Sequence, residues 1–345
     1  MIYREQSIRP VAGKEPVRLY LKRRATLRKM FGAGVLLAAP AIAQGAWPDW
    51  PVRVIVPYQP GQATDIFTRI LAELLSRRWK QPVIIDNIGG GSGIAGIETG
   101  RAAAPDGHTL IVATSGTFGI NPSLYPDLPY RPLVDFMPIS LAFTAPLVVV
   151  AHPSFPANSL REMIALIQRE PGRYSYASPG VGSSQHLSME WLKVRTGLDI
   201  HHIADTYGNL AVNQVLSGQV MLMKESMAAA LPHLRARRLK ALAVTTLKRV
   251  AAPLDYIPAV SETIPGFNTA GWAGLVAPVK TPPEIVARIS FDLQGALREP
   301  AVIARFEANG TTAMPTMPAP FSAFIRKEMD NWAQVVRATG TKPPA

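Results

Sequence analysis

From Trp47 onward, short apolar runs rich in β-branched residues alternate with longer stretches whose apolar residues recur at helical spacing. The first run (Val52, Val54, Ile55, Val56) breaks at Pro57, passes through Pro60 and Gly61, and resumes at Thr64 and Asp65 as an amphipathic helix. In that helix Ile66, Phe67, Ile70, Leu71, Leu74 and Leu75 share one face, while Arg69, Glu73, Arg77 and Arg78 take the other. Further strand-like runs fall at 82–87, 108–115, 147–153, 173–180, 239–246 and 274–279, and helical patterns at 94–104, 160–170, 187–196, 282–297 and 320–338. Such alternation predicts an α/β chain of parallel sheets covered by helices.

Two strand-loop-helix junctions stand out. In VIVPYQPGQATD (54–65) and SPGVGSSQHL (178–187) a Gly-rich loop leaves the carboxyl end of a strand and enters the amino end of a helix. Open α/β sheets bind ligands at that edge, and the unpaired N–H groups of a helix start favour anions. Ser183 and Ser184 add hydroxyl donors to the second loop. With one such loop in each half of the chain, the expectation is a pair of walls facing across a cleft and suited to a carboxylate.

Composition adds size and compartment. The chain has 345 residues, 48% hydrophobic and 17% charged, enough for two globular cores. Its net charge of +12 is concentrated at the amino end: residues 1–43 hold 9 of the 36 basic and 2 of the 24 acidic residues, leaving 27 against 22, a net of +5, for the rest. That is an ordinary solvated surface, and no basic run with interleaved aromatics points to nucleic acid. Residues 1–43 read as an export signal, with a twin-arginine pattern at Lys22, Arg23, Arg24, Ala25, Thr26, Leu27 and Arg28, then an apolar run and the small-residue site Ala41-Ile42-Ala43, with cleavage expected after Ala43. Thr26 stands where that pattern prefers Phe, so the general secretory route stays open. The apolar run is shorter than the ~20 residues a membrane span needs. There is no cysteine, which excludes disulfides, thiolate metal sites and a cysteine nucleophile.

The segment VRVIVPYQPGQATD resembles the opening of the Bug receptors, the solute-binding proteins of tripartite tricarboxylate transporters. The resemblance continues in order through GGGSGIAGIETGRAAAPDGHTL (89–110), ATSGTFGINPSLYPDLPYRPLVDFMPI (113–139), YASPGVGSSQHL (176–187), LSGQV (216–220), LKALAVTT (239–246), GWAGLVAPVKTP (271–282) and FIRKEMDNWAQVVRATG (324–340). It implies a two-lobed periplasmic-binding-protein-like fold of type II, with two doubly wound sheets joined by crossover strands, closing on a small organic acid. By that analogy lobe 1 comprises 44–146 and 272–345, and lobe 2 comprises 147–271. Tyr58, Gln59, Gly61, Gln62, Thr64, Asp65, Ser115 and Thr117 would form one wall, and Ser178, Gly180, Gly182, Ser183, Ser184 and His186 the other. The implied protein is periplasmic, monomeric and not an enzyme; it has no cofactor, and its partners are the membrane subunits of a transporter or a sensor.

Several positions depart from the family pattern. Gln62 stands where a further glycine is usual, so its amide is expected to reach the ligand directly. At Ala204-Asp205-Thr206-Tyr207 the usual Pro-Tyr-Lys-Gly is missing, and Asp205, taken as a ligand-binding residue, argues for an amine-bearing or neutral distal group over a simple dicarboxylate. Arg131 replaces a common Asp and is expected on the surface. Met221 and Lys224 fall near a usual Asp and Phe, and Lys224 reads as a solvated lysine, with a charge in the cleft as the alternative.

The main competing chemistry is an exported dinucleotide-dependent oxidoreductase using Gly91-Ser92-Gly93-Ile94-Ala95-Gly96, a literal G-x-G-x-x-G. The fingerprint requires an acid at the end of the next strand, which here ends Ala113-Thr114-Ser115, so the glycines read instead as a tight turn permitting close packing. Ser183 and His186 lie on one loop and helix start, too local for a triad. The adjacent His201 and His202 would point to opposite faces of a strand, and no metal-ligand spacing occurs elsewhere.

Overall fold

The computed structural model describes residues 47–205 and 211–343, so the expected export signal and Thr206-Tyr207 lie outside the described residues. Among the described residues of the compact unit Gly45–Ala345, eleven strands form two sheets. They are β1 (Val52–Val56), β2 (Val83–Asn87), β3 (Thr109–Thr114), β4 (Phe136–Ala145), β5 (Leu147–Ala151), β6 (Ser175–Ser178), β7 (His201–Ala204), β8 (Leu222–Ser226), β9 (Lys240–Val244), β10 (Gly271–Pro278) and β11 (Thr312–Ala313). The first sheet runs β11-β4-β10-β3-β1-β2 and the second β7-β6-β8-β5-β9. Each has a parallel trio (β2-β1-β3 and β7-β6-β8) flanked by antiparallel partners (β10 and β4; β5 and β9). The two halves thus repeat one topological plan, and the fold is mixed α/β and two-lobed, as the resemblance implies, with antiparallel pairs where the pattern alone predicts parallel sheets.

The apolar runs form central strands because both faces are covered. Val52, Val54 and Val56 pack under the helices Ala63–Trp79 and Pro283–Leu297, while Ile111, Ala113 and Val276 pack on the opposite face against Ile97, Phe118 and Phe321. Strands covered on both faces read as continuous hydrophobic runs, which explains their legibility. Strands β4 and β8 go unread by pattern. Pro138 lies inside β4, which pairs with β10 through two register shifts, and Lys224-Glu225 interrupts β8.

Gly96 and Gly100 lie on the helix Ile94–Arg101 against the first sheet. A Cβ on Gly96 would stand 2.6 Å from the Ile88 carbonyl oxygen, and one on Gly100 2.2 Å from Ile111 Cγ1. Gly96, the last glycine of the Gly91–Gly96 motif, and Gly100 one turn on are therefore what let the helix settle onto the first sheet.

The chain crosses between the sheets twice, side by side. The first crossing is Ala145-Pro146-Leu147, from β4 directly into β5. The second leaves β9 and returns at β10, with Thr245 at its start and Gly271 paired with Ala145 at its end. Thr245 N–H donates to the Leu147 carbonyl at 2.8 Å, Leu147 N–H to Thr245 Oγ1 at 3.1 Å, and Thr269 N–H to the Thr245 carbonyl at 3.0 Å. A separate apolar seam joins Ile120 and Leu124 on one side of the cleft, Leu187 on the other, and Trp332, Val335 and Val336 of the C-terminal helix Pro318–Thr339.

Candidate ligand-binding cleft

Between the sheets lies a cleft of about 880 Å³. Both Gly-rich loops open onto it. Of the residues expected in the walls, Tyr58, Gln59, Gly61, Gln62, Thr64, Ser115, Gly180, Gly182, Ser183, Ser184 and Asp205 line the cleft, whereas Asp65, Thr117, Ser178 and His186 sit behind the lining and hold it in shape.

On the first wall the helix Ala63–Trp79 starts after Gln62, whose backbone is extended (φ −73°, ψ 160°) and whose side chain makes no capping bond. A non-glycine residue takes that conformation without strain, so the side chain faces the cleft at no backbone cost. Asp65, 2% exposed, closes the loop from behind: it accepts Gly61 N–H at 2.8 Å, Arg69 Nε at 3.0 Å and Asn87 Nδ2 at 3.0 Å. The same Asn87 amide donates to the Tyr58 carbonyl at 3.0 Å. Burial alone would raise the Asp65 pKa, but the bonds from Arg69, Gly61 and Asn87 outweigh it and hold the carboxyl below its ordinary value. Thr117 is buried in a reciprocal cap with Thr114, each backbone N–H donating to the other hydroxyl at 3.2 Å. Tyr58 Oη lies 3.0 Å from Thr114 Oγ1 and ties the two loops of this wall together.

On the second wall Ser183 caps the helix Ser184–Thr196, accepting His186 N–H at 3.2 Å and donating to the Gly180 carbonyl at 2.8 Å. His186 Nδ1 accepts Gly182 N–H at 3.2 Å, which fixes an unprotonated nitrogen there. Its ring stacks on His202, centroids 4.0 Å apart, and His202 Nε2 lies 2.7 Å from Ser178 Oγ. Burial lowers both imidazoles to about 4, and for His186 the neighbouring His202 adds to the effect. Both are neutral braces at pH 7.

Three features escape the sequence reading. Ser92 and Gly93, set aside with the dinucleotide-like motif, and Gly89 and Gly90 just before it form part of the first wall. Glu225, Ser226 and His233 form part of the second, at a strand-to-helix junction, β8 into the helix Met227–Arg235, like the two recognised loops. Lys224 corrects an expectation: it is neither solvated nor in the cleft but fully buried, with Nζ 2.7 Å from the Ser188 carbonyl oxygen, 2.9 Å from Ser188 Oγ and 4.6 Å from the Phe267 ring centroid. Strand alternation sends it to the face opposite Glu225. Asp205 Oδ2 accepts Ala211 N–H at 3.2 Å, and Arg131 lies on the surface, paired with Asp135.

Comparison with known proteins gives a consistent result. The family model described as the tripartite tricarboxylate transporter family receptor matches residues 67–341. Protein BugT of Bordetella pertussis is 35% identical over 315 residues, covering 91% of this chain and 96% of BugT. Among solved structures, R. palustris Rpa4515 with adipate is similar at a TM-score of 0.82 and 29% identity, covering 86% of this chain and 100% of that one. MatC from Rhodopseudomonas palustris with bound malate is similar at a TM-score of 0.76 and 30% identity, covering 84% and 99%.

Proposed function

This chain belongs to the tripartite tricarboxylate transporter receptor family, and from that premise we propose that it is a periplasmic solute-binding receptor capturing a small carboxylate-bearing ligand between two lobes. The observation that carries this is the pair of Gly- and Ser-rich loops facing one another across a single cleft, with two crossing strands behind them. The lobes are taken as 44–146 with 272–345, and 147–271. Residues 1–43 serve as a cleaved export signal, and the loaded form is read by membrane subunits of a transporter or by a sensor.

The mechanism is reversible binding without chemistry. The two loops and the helix starts they lead into are set in shape by Asp65, Thr117, Ser178 and His186 before the ligand arrives, so little ordering cost remains on binding. The carboxylate bonds one wall, the remainder of the ligand draws in the other, and the crossing strands at Leu147 and Thr245 act as the hinge. The adipate- and malate-bound relatives support a ligand of that class.

Calorimetry and thermal unfolding of residues 44–345 against mono-, di- and aromatic carboxylates test the reading. A ligand at a hundred times its Kd is expected to add about 2.7 kcal/mol of stability. Stabilisation by NAD(P) and by no carboxylate would overturn the receptor reading in favour of an oxidoreductase.

A further inference from the structure

The charge of the cleft lining is one-sided. Asp205, Glu225 and His233 contribute to it, and among the described residues no lysine or arginine does. Lys224, next in sequence to Glu225, is turned away onto Ser188 and leaves Glu225 unneutralised from that side. His233 does not compensate, because burial, assisted by the charge on Arg238, lowers its pKa and favours the neutral ring.

Glu225 is held in place. Its Oε1 accepts Ser226 N–H at 2.6 Å, and its carboxyl shares a hydrogen bond with Gln185 in the first turn of the helix Ser184–Thr196. Ser226 in turn caps the helix Met227–Arg235. Residues from two helix starts therefore meet at this carboxyl. Burial raises its pKa despite those bonds, so a donor arriving with the ligand would relieve an unfavourable charge. A second carboxylate arriving there would meet like charge, with no lysine or arginine among the described residues of the lining.

Building on the reading of this cleft as a carboxylate receptor, we propose that Glu225 selects the distal end of the ligand, and that the ligand class is an amine-bearing monocarboxylate rather than a dicarboxylate. The ammonium pairs with Glu225 on the second wall while the carboxylate takes the backbone donors of the loops.

The test is calorimetric titration of the mature wild-type protein with matched series: succinate, 4-aminobutanoate and butanoate; glutarate, 5-aminopentanoate and pentanoate; adipate, 6-aminohexanoate and hexanoate. At one length or more the amino acid is expected to bind at least about tenfold more tightly than its dicarboxylate, and Glu225→Gln to remove about tenfold of that affinity while leaving the simple monocarboxylate within about threefold. The wild-type ranking stands even where the variant fails to fold. Dicarboxylates binding as tightly as their amino counterparts at every length would overturn the inference, as would an unchanged ranking in a folded Glu225→Gln protein. Failure of all nine compounds alongside binding of other carboxylates overturns this inference alone. Failure of every carboxylate overturns the receptor reading and this inference with it.

Discussion

Lys224 Nζ donates to Ser188 at both its carbonyl oxygen and its hydroxyl, and that hydroxyl also bonds Thr269 Oγ1. Because Thr269 N–H bonds the Thr245 carbonyl, an unbroken polar path runs from the strand carrying Glu225 to the crossing strands. Burial pushes the Lys224 pKa well below its ordinary value. An unfolded lysine takes up its proton below about 10.4, so the wild type is penalised below that pH and gains stability as pH rises from the folded pKa toward it. Lys224→Met removes the penalty at similar volume. Urea unfolding between pH 6 and 10 should show wild type gaining on the variant by up to about 1.4 kcal/mol per pH unit within the window; parallel curves would rule out a buried, deprotonating amine.

Asp65 acts in the opposite direction. Its carboxyl is held low, so its contribution is present above about 3.9 and disappears as pH falls through the folded pKa. Asp65→Asn should cost about 1–3 kcal/mol at pH 7, since the Gly61 and Arg69 donors lose an anionic acceptor. The gap to wild type should close below pH 4 in denaturant titrations. Ligand affinity should fall as well, because the lining of the first wall is braced from this residue.

The stacked pair His186 and His202 makes the second wall acid-sensitive. Both rings are neutral in the fold and titrate near 4, against about 6.5 when unfolded, so the unfolded chain binds more protons between those values. Stability is therefore lost as pH drops from about 6.5 toward 4, by at most about 1.4 kcal/mol per unit for each imidazole. His202→Gln retains a polar partner for Ser178 and should flatten that slope. An unchanged slope would locate the sensitivity elsewhere.

Gly182 couples the walls sterically. It holds a positive φ of 81°, and a Cβ there would stand 2.3 Å from Leu124 Cδ2 across the cleft. Gly182→Ala is expected to lower stability by about 1 kcal/mol through backbone strain alone and to weaken ligand retention by keeping the walls apart. Leu124→Ala in the same protein should restore retention but not the backbone term, a coupling that a double-mutant cycle would measure.

How much of this was legible follows from periodicity. β1, β3 and β5 announce themselves because both faces of each are apolar, whereas Pro138 and the Lys224-Glu225 pair disguise β4 and β8. The two loops were visible from their Gly and Ser content, but loop sequence does not separate residues that line a cavity from those that brace it. Asp65 and Thr64 are neighbours with different exposures, and Ser183 lines the cleft while His186, one turn on, stands behind. A signal for Glu225 did exist: Ser226 is a helix-capping residue directly after a strand, the same junction as at Ser183. It was masked because Lys224-Glu225 looks like a surface pair.

A cleft whose described lining holds no lysine or arginine also differs in how it attracts anions from solution. Backbone N–H groups and hydroxyls carry only partial charges, so their hold on a carboxylate depends little on ionic strength. An arginine clamp at the rim would weaken as the screening length shrinks from about 30 Å in dilute medium to about 8 Å at physiological salt. Such a lining forgoes long-range attraction of anions, so its capture rate is set by ordinary diffusion and by how often the walls part.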